Sequence, residues 1–152
     1  MGTVLIAASE DEQKFLKTAL GKDHAYVWCT TWRQVEHEMD TEIDAVLCGV
    51  HFDDGRLFDL VEWVKSGSGT RNTPVYGVVV YARHFSEHFL TGLRSAVSLF
   101  DAEGVLDLAG LRRDCGDAEA IDMLRTAVDG IVVAGLRKRR RHLRQVPTTV
   151  AV

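Results

Sequence analysis

Acidic side chains follow two of the apolar runs in the sequence, where carboxylates could hold a divalent cation. Glu10 and Asp11 come after the first run, and Asp53 and Asp54 come after the third. Oxygen ligands suit Mg²⁺ and Ca²⁺, but a complete site needs several of them in a fixed arrangement. No full ligand set is evident around these four acids. We therefore interpret them as loop and helix-start charges that could bind a cation only weakly.

A second candidate for chemistry is the stretch 84–88, which reads H-x-x-E-H. On a helix, His84 and His88 would lie one turn apart on one face, a spacing that suits two zinc ligands. Inverted zinc-protease motifs also need a third ligand and a substrate cleft, and motifs this short match by chance. We predict no metal site and no cofactor. A metal-dependent hydrolase using His84, Glu87 and His88 stays as a remote alternative.

Charge is divided between an acidic body and a basic end. Residues 1–136 contain all 22 acids and 12 of the 18 Lys and Arg residues, which gives a formal charge of −10. The other six basic residues could contact nucleic-acid phosphates or acidic lipid headgroups. No aromatic residues are interleaved among them, and an acidic body would repel DNA, so nucleic-acid binding is an alternative that we do not favour. The six are Arg137, Lys138, Arg139, Arg140, Arg141 and Arg144.

Length and composition predict one folded domain. A chain of 152 residues with 46% hydrophobic content can bury one full core but is short for two ordinary domains. No apolar run approaches the ~20 residues that span a bilayer, and the first residues do not form a signal peptide. The three cysteines include no C-x-x-C pair, and we interpret them as reduced thiols. We expect a cytoplasmic protein.

Apolar runs alternate with amphipathic stretches along the chain. The runs 3–8, 25–29, 45–50, 75–81 and 105–108 predict strands, and helices are predicted to begin near residues 9, 30, 56, 86 and 117. Ser9 and Glu12 have the spacing of a capping box at the first helix. Strands that are apolar throughout are typical of a parallel sheet buried on both faces. We predict an α/β, flavodoxin-like three-layer sandwich with strand order 2-1-3-4-5 and about five helices.

The third apolar run and its surroundings resemble the receiver domain of two-component response regulators. The best local match is D-A-V-L-C-G-V-H-F-D-D-G at residues 44–55. Receivers have an acid there, then three apolar residues, a variable position, the phospho-accepting Asp, and a loop to Asp-Gly. Residues 73–80 and 101–108 are similar to the family's Thr-Pro before strand four and its Gly-Ala-x-x-Tyr-Leu-x-Lys stretch. The resemblance implies a receiver-like domain over residues 1–136, followed by a basic helix end and tail over 137–152.

The residues that carry phosphoryl transfer in receivers do not carry over to this chain. The resemblance places Gly49 at the phospho-acceptor position and Leu108 at the position of the lysine. The acidic pair after strand one falls on Ala8 and Ser9, and the hydroxyl of strand four falls on Val79. Phosphoryl transfer needs a nucleophile, a metal held by carboxylates and a cation on the transferred oxygens. The resemblance therefore implies a degenerate pseudo-receiver that is not an enzyme.

The last predicted helix is longer than a small domain needs. Its far half contains Ile131, Val132 and Leu136, whose apolar surface must be buried somewhere. These side chains either pack on the domain's own sheet or form an interface, and receivers commonly dimerise through their fourth and fifth helices. We predict a homodimer through this helix. The expected function is a regulatory module that acts through contacts with a protein partner of unknown identity.

Overall fold

Five parallel strands form one sheet in the computed structural model, which describes residues 2–40, 42–81, 91–96 and 103–145, with side chains only as far as residue 138. The strands are β1 Thr3–Ala7, β2 Ala25–Cys29, β3 Ala45–Gly49, β4 Val75–Val79 and β5 Gly104–Asp107. They lie in the order β2-β1-β3-β4-β5, and every neighbouring pair is parallel. The predicted order 2-1-3-4-5 is confirmed.

Helices cover both faces of this sheet. They are α1 Glu10–Ala19, α2 Trp32–Glu38, α3 Leu57–Ser66, α4 at residues 91–96, α5 Leu108–Cys115 and α6 Asp117–Gln145, with a 3₁₀ turn at Phe52–Asp54. The predicted capping box is present: the Ser9 hydroxyl accepts the Glu12 N–H, and the Glu12 carboxylate accepts the Ser9 N–H. Thr31 and Gln34 form a second capping box at α2.

The alternation of side chains along each strand divides the core into two halves. Leu5 and Ala7 face the cluster that contains residues of α2, α3 and α4. Val4 and Ile6 face the cluster that contains residues of α1, α5 and α6. Because both faces of the sheet are covered, the strands are apolar throughout, as the sequence indicates. The predicted three-layer sandwich is confirmed.

Helix α5 is an element that the sequence pattern did not predict. Residues 105–108 were predicted as strand and the next helix was predicted to begin near residue 117, but β5 ends at Asp107 and Leu108 already begins a helix. The Asp107 side chain caps α5 by accepting the Gly110 N–H at 3.0 Å. An acid inside a short apolar run was interpreted as part of the strand, although Asp is a preferred N-cap residue.

Helix α6 runs without a break across the predicted boundary at residue 136. Gly135 is buried, and a Cβ added there would overlap the backbone carbonyl of Asp44, so this glycine lets α6 approach the start of β3. Ile131 and Val132 are 6% and 1% exposed, and Leu136 packs against the same cluster. The predicted dimer interface of these three side chains is therefore wrong, since they fill the domain's own core. Of the helices described, none is both long and apolar enough to cross a membrane.

Candidate functional site

Gly49 is the last residue of β3 and lies between the ends of β1 and β4. The strand register places Ala7 beside Cys48 and Val78 beside Gly49, so the carboxyl ends of these three strands meet at one edge. In open α/β sheets, ligands bind beyond this edge. Gly49 is buried, as are all five residues of β3. Gly49, which the resemblance matched to the acceptor, therefore lies at the carboxyl end of a central strand and has no side chain.

The carboxylate of Glu12 fills the space beside Gly49. A Cβ added at Gly49 would overlap the terminal carbon and both oxygens of the Glu12 side chain. Glu12 itself is 0% exposed. Its Oε1 accepts the Ser9 N–H at 2.9 Å, and its Oε2 accepts the His51 N–H at 3.3 Å. A carboxylate from the first turn of α1 thus occupies the space at the end of β3.

Sequence reasoning assigned Glu12 only as a helix cap and missed its place at this site. A signal was nevertheless present. A capping box turns the N3 side chain back toward the end of the preceding strand, and in the order 2-1-3 the strands beside β1 are β2 and β3. A glycine that ends a fully apolar strand leaves a space that some neighbour must fill, because protein interiors are close-packed.

The segments that flank Gly49 are joined above the sheet edge. The hydroxyl of Tyr81, which follows β4, donates to the carbonyl of Asp11 in the first turn of α1 at 3.1 Å. The strand between β1 and β4 is β3. This hydrogen bond therefore connects the two loops on either side of the strand end that carries Gly49, while Glu12 occupies the space between them.

The other positions matched to receiver chemistry are structural in this chain. Val79 and Leu108 are each 0% exposed and belong to the two opposite halves of the core. The Ala8 N–H donates to the Cys29 carbonyl at 3.0 Å, and Ser9 is the cap of α1. None of these residues presents a hydroxyl, an ammonium group or a carboxylate to the space beside Gly49.

The four acids predicted as a weak cation site are not brought together. Glu10 and Asp11 are exposed in the first turn of α1, whereas Asp53 Oδ2 accepts the Trp32 N–H at 3.0 Å. Asp54 is exposed beside it. Within residues 2–40, 42–81, 91–96 and 103–138, no three His, Cys, Asp or Glu side chains are placed to hold a metal ion.

The loop after β3 has an unusual backbone conformation, and contacts with α1 and α2 stabilise it. Asp53 and Asp54 have positive φ values of 42° and 59°, which are uncommon for residues other than glycine. The Asp53 carboxylate is bonded to the start of α2 and lies 3.9 Å from the Arg56 guanidinium. Arg56 in turn lies over the Trp32 ring, 4.2 Å from its centroid. The loop is thereby attached to α2 on one side and, through the His51 N–H, to α1 on the other.

An open groove of about 440 Å³ lies beside this loop. Its walls combine apolar residues of α3 and α4 with polar residues of the loop. The lining residues are Val50, His51, Asp54, Gly55, Leu57, Phe58 and Leu93.

Neither buried cysteine supplies a substitute nucleophile. Burial raises the pKa of the Cys48 thiol well above its ordinary value, and the Glu12 carboxylate raises that pKa further. Burial also raises the pKa of Cys29 to about 11, with a smaller contribution from Glu38. Both thiols are therefore protonated near neutral pH, and a thiol is a far weaker nucleophile than a thiolate.

Two predicted groups lie partly or wholly outside the described residues. His84, Glu87 and His88 are among them, so the predicted absence of a metal there stays a prediction. At the basic end, Arg137 is exposed and Lys138 Nζ lies 3.1 Å from Glu103 Oε1. The side chains of Arg139, Arg140, Arg141 and Arg144 are outside the described set.

Comparison with known proteins agrees with this geometry at the level of fold. No protein-family model and no curated protein matches the sequence. Among solved structures, a proposed response regulator from Chloroflexus aurantiacus J-10-fl matches with a TM-score of 0.63 and 16% identity, over 87% of this chain and 98% of that chain. A signal receiver domain of a two-component histidine kinase from Clostridium thermocellum matches with a TM-score of 0.60 and 16% identity, over 86% and 97%.

The chain has the receiver-domain fold. The Mn²⁺-bound form of the response regulator Rcp1 also matches, with a TM-score of 0.57 and 11% identity over 83% of this chain and 91% of that chain. At identities of 11–16%, the likeness concerns the fold alone.

Proposed function

We propose that this chain is a receiver-like regulatory module that takes up no phosphoryl group at the usual position and acts through protein contacts. The observation that supports it most directly is the buried Glu12 carboxylate in the space beside Gly49. Phosphoryl transfer at the end of β3 needs an oxygen nucleophile on that strand, and Gly49 has no side chain to supply one. The space where such a side chain would lie is filled by the Glu12 carboxylate, whose two oxygens already accept the Ser9 and His51 N–H groups. The module is thus a pseudo-receiver and is not an enzyme.

The contact of Glu12 with the His51 N–H also keeps the loop after β3 in one conformation. In a receiver, phosphorylation adds charge at the end of the third strand, and such a charge orders a loop by accepting new hydrogen bonds. In this chain the Glu12 carboxyl group is already part of the protein, and its Oε2 accepts the N–H of His51 in the loop after β3. The loop is held without a modification, so its surface is presented to a partner continuously.

A phosphodonor experiment tests this proposal. The protein is incubated with acetyl phosphate and Mg²⁺, and its intact mass is measured, with a phosphorylatable receiver treated in parallel. We expect no increase in mass for this chain. The variant Gly49→Asp/Glu12→Ala places an acid at the end of β3 and removes the overlapping side chain. It is the control in which phosphoryl uptake should be easiest to detect. A hydroxylamine-labile phosphoryl adduct on the unaltered protein would end the proposal.

A second candidate function is binding of nucleic acid through the basic end. It is favoured by one observation: α6 continues as a helix to Gln145, ten residues beyond the close contact of Gly135 with Asp44. The basic positions are therefore carried on regular helix past the start of β3, and Arg137 is exposed. We expect duplex DNA binding, if present, to weaken steeply with salt and to be lost when the six basic residues become Gln. No binding at low salt would exclude this function.

A further inference from the structure

A stripe of six exposed residues runs along α6 on the side away from the sheet. Successive members are separated by alternating steps of four and three residues, so they lie on one face of the helix. The stripe spans 19 residues, and its first and last members are 18 residue steps apart, or about 27 Å of helix at 1.5 Å per residue. We call it the α6 stripe. Its members are Glu119, Met123, Thr126, Gly130, Val133 and Arg137.

Two features of the α6 stripe are not explained by the domain itself. Met123 and Val133 are the large hydrophobic residues that stay exposed in the described part of the chain, at 42% and 46%. Gly130 lies in the helix interior, where glycine is unfavourable, yet a Cβ added there would meet no atom within 4 Å. By contrast, Gly135 on the same helix is required by the contact with Asp44. A second helix packed on the stripe would account for both the exposed side chains and the unused space at Gly130.

The α6 stripe is complementary to itself when reversed. An acid stands at one end and a base at the other, with apolar and small residues between them. If a second copy is placed antiparallel about a two-fold axis, every contact occurs twice. The contacts are Glu119 with the partner subunit's Arg137, Met123 with the partner subunit's Val133, and Thr126 with the partner subunit's Gly130.

We infer that α6 pairs antiparallel with α6 of a second copy of this chain. Charge supports this occupant beyond the stripe, because the first half of α6 carries exposed acids at Asp117 and Asp122, whereas six of its seven Lys and Arg residues lie in its last turns. The seventh, Arg125, is directed to its own domain, where its Nε donates to the Ala19 carbonyl at 2.8 Å. Antiparallel pairing brings the acidic half of each helix to the basic half of the other. Asp129, near the middle, is directed to its own domain, where its carboxylate lies 2.6 Å from His24 Nε2. The small residues near the axis, Thr126 and Gly130, allow the two helices to approach closely.

This inference names a partner surface for the interaction role proposed above, and its test does not depend on phosphorylation. Sedimentation equilibrium of the full chain over a concentration series at low salt should show a monomer–dimer equilibrium. Val133→Asp places a charge against the partner subunit's Met123 at both symmetric contacts and should raise the dissociation constant by at least about a hundredfold. Thr18→Asp, at an exposed position of α1, is the matched control and should leave the constant unchanged. Circular dichroism confirms that both variants are folded.

A charge exchange tests the antiparallel direction. Glu119→Arg and Arg137→Glu should each raise the dissociation constant roughly tenfold, because the two-fold axis creates two repulsive pairs. The double variant should return it close to the original value. Monomer at every concentration overturns the inference, as does a dimer that survives Val133→Asp or a control variant that dissociates equally. A double variant that is no tighter than the single ones overturns the antiparallel arrangement. The phosphodonor result is unaffected by any of these outcomes.

Discussion

The two ends of β3 each contain a buried carboxylate and a nearby glycine that makes room, but they are built differently. At the amino end, Asp44 comes from the strand's own approach, and its Oδ2 accepts the Thr3 N–H at 2.8 Å. Gly135 of α6 makes room there for the Asp44 carbonyl. At the carboxyl end, Gly49 makes room for Glu12, which comes from α1. At the amino end, the backbone of α6 lies against the backbone of Asp44. At the carboxyl end, the backbone of Gly49 lies against the Glu12 side chain, which has other rotamers.

This difference indicates which end could change during evolution. An overlap with a backbone carbonyl can be relieved only by moving a helix or a strand, whereas an overlap with a carboxylate can be relieved by another rotamer or a shorter residue. The carboxyl end is also the edge where a receiver's chemistry lies. Substitutions at the two ends should therefore differ in magnitude, and the following predictions are ordered from the largest to the smallest expected effect.

The largest effect is expected at the amino end of β3. Gly135→Ala places a methyl group against the Asp44 carbonyl and should lower the free energy of unfolding by about 3 kcal/mol. Gly130→Ala is the matched control on the same helix, where the added methyl group meets no atom. It should raise the free energy of unfolding by roughly 0.5–1 kcal/mol. Urea unfolding of dilute protein measures both, and equal effects at the two glycines would contradict the close approach of α6.

Glu12 should contribute less, and its contribution should come from its hydrogen bonds. Glu12→Ala leaves the Ser9 and His51 N–H groups without their acceptor and should lower the free energy of unfolding by about 2 kcal/mol. Glu10→Ala, an exposed acid in the same helical turn, should change it by less than about 0.5 kcal/mol. Hydrogen exchange should show faster exchange at His51 in the Glu12 variant only. Unchanged protection at His51 would mean that Glu12 does not hold this loop.

The sequence could predict those features of the fold whose causes lie within a few neighbouring residues. Strand order and the two-sided core follow from apolar runs that each lie within a few residues, and these predictions are confirmed. The apolar period of α6 predicted that Ile131 and Val132 are buried, but it did not say against what, and the predicted dimer interface was wrong. The capping role of Glu12 is local, whereas its contact with His51 joins residues 39 positions apart. That contact depends on sheet order and on the space at Gly49 together, which no local pattern reports.

The pairing of Gly49 with Glu12 can be measured as a coupling energy. Gly49→Ala alone should lower the free energy of unfolding by roughly 1–2 kcal/mol, because the new methyl group displaces the Glu12 carboxylate. In a Glu12→Ala background the same substitution should be close to neutral. A double-mutant cycle then gives a coupling of about 1–2 kcal/mol. Additive effects would show that the two residues do not share this space, and the comparison between the two ends of β3 would lose its basis.

The smallest effect concerns Cys48, which lies next to Gly49, and it depends on pH. Because burial and the Glu12 charge raise the pKa of this thiol in the folded state, the folded protein retains the proton after the unfolded chain has lost it. The stabilisation is complete below the ordinary pKa of 9.0 and declines as the pH rises above it, by up to about 1.4 kcal/mol per pH unit. Cys48→Ala removes this dependence.

The difference in unfolding free energy between the native protein and Cys48→Ala should therefore be constant from pH 7 to about 8.5 and shrink towards higher pH, as measured by urea unfolding. Burial also raises the pKa of Tyr26, but Tyr26 titrates in both proteins, so its contribution cancels in this difference. Glu12→Gln removes the smaller of the two causes of the Cys48 shift, so the decline should level off at a lower pH in that background. A difference that stays constant through pH 10 would mean that the Cys48 thiol ionises as readily in the fold as in the unfolded chain. The carboxyl end of β3 would then be open to water, unlike the closed amino end.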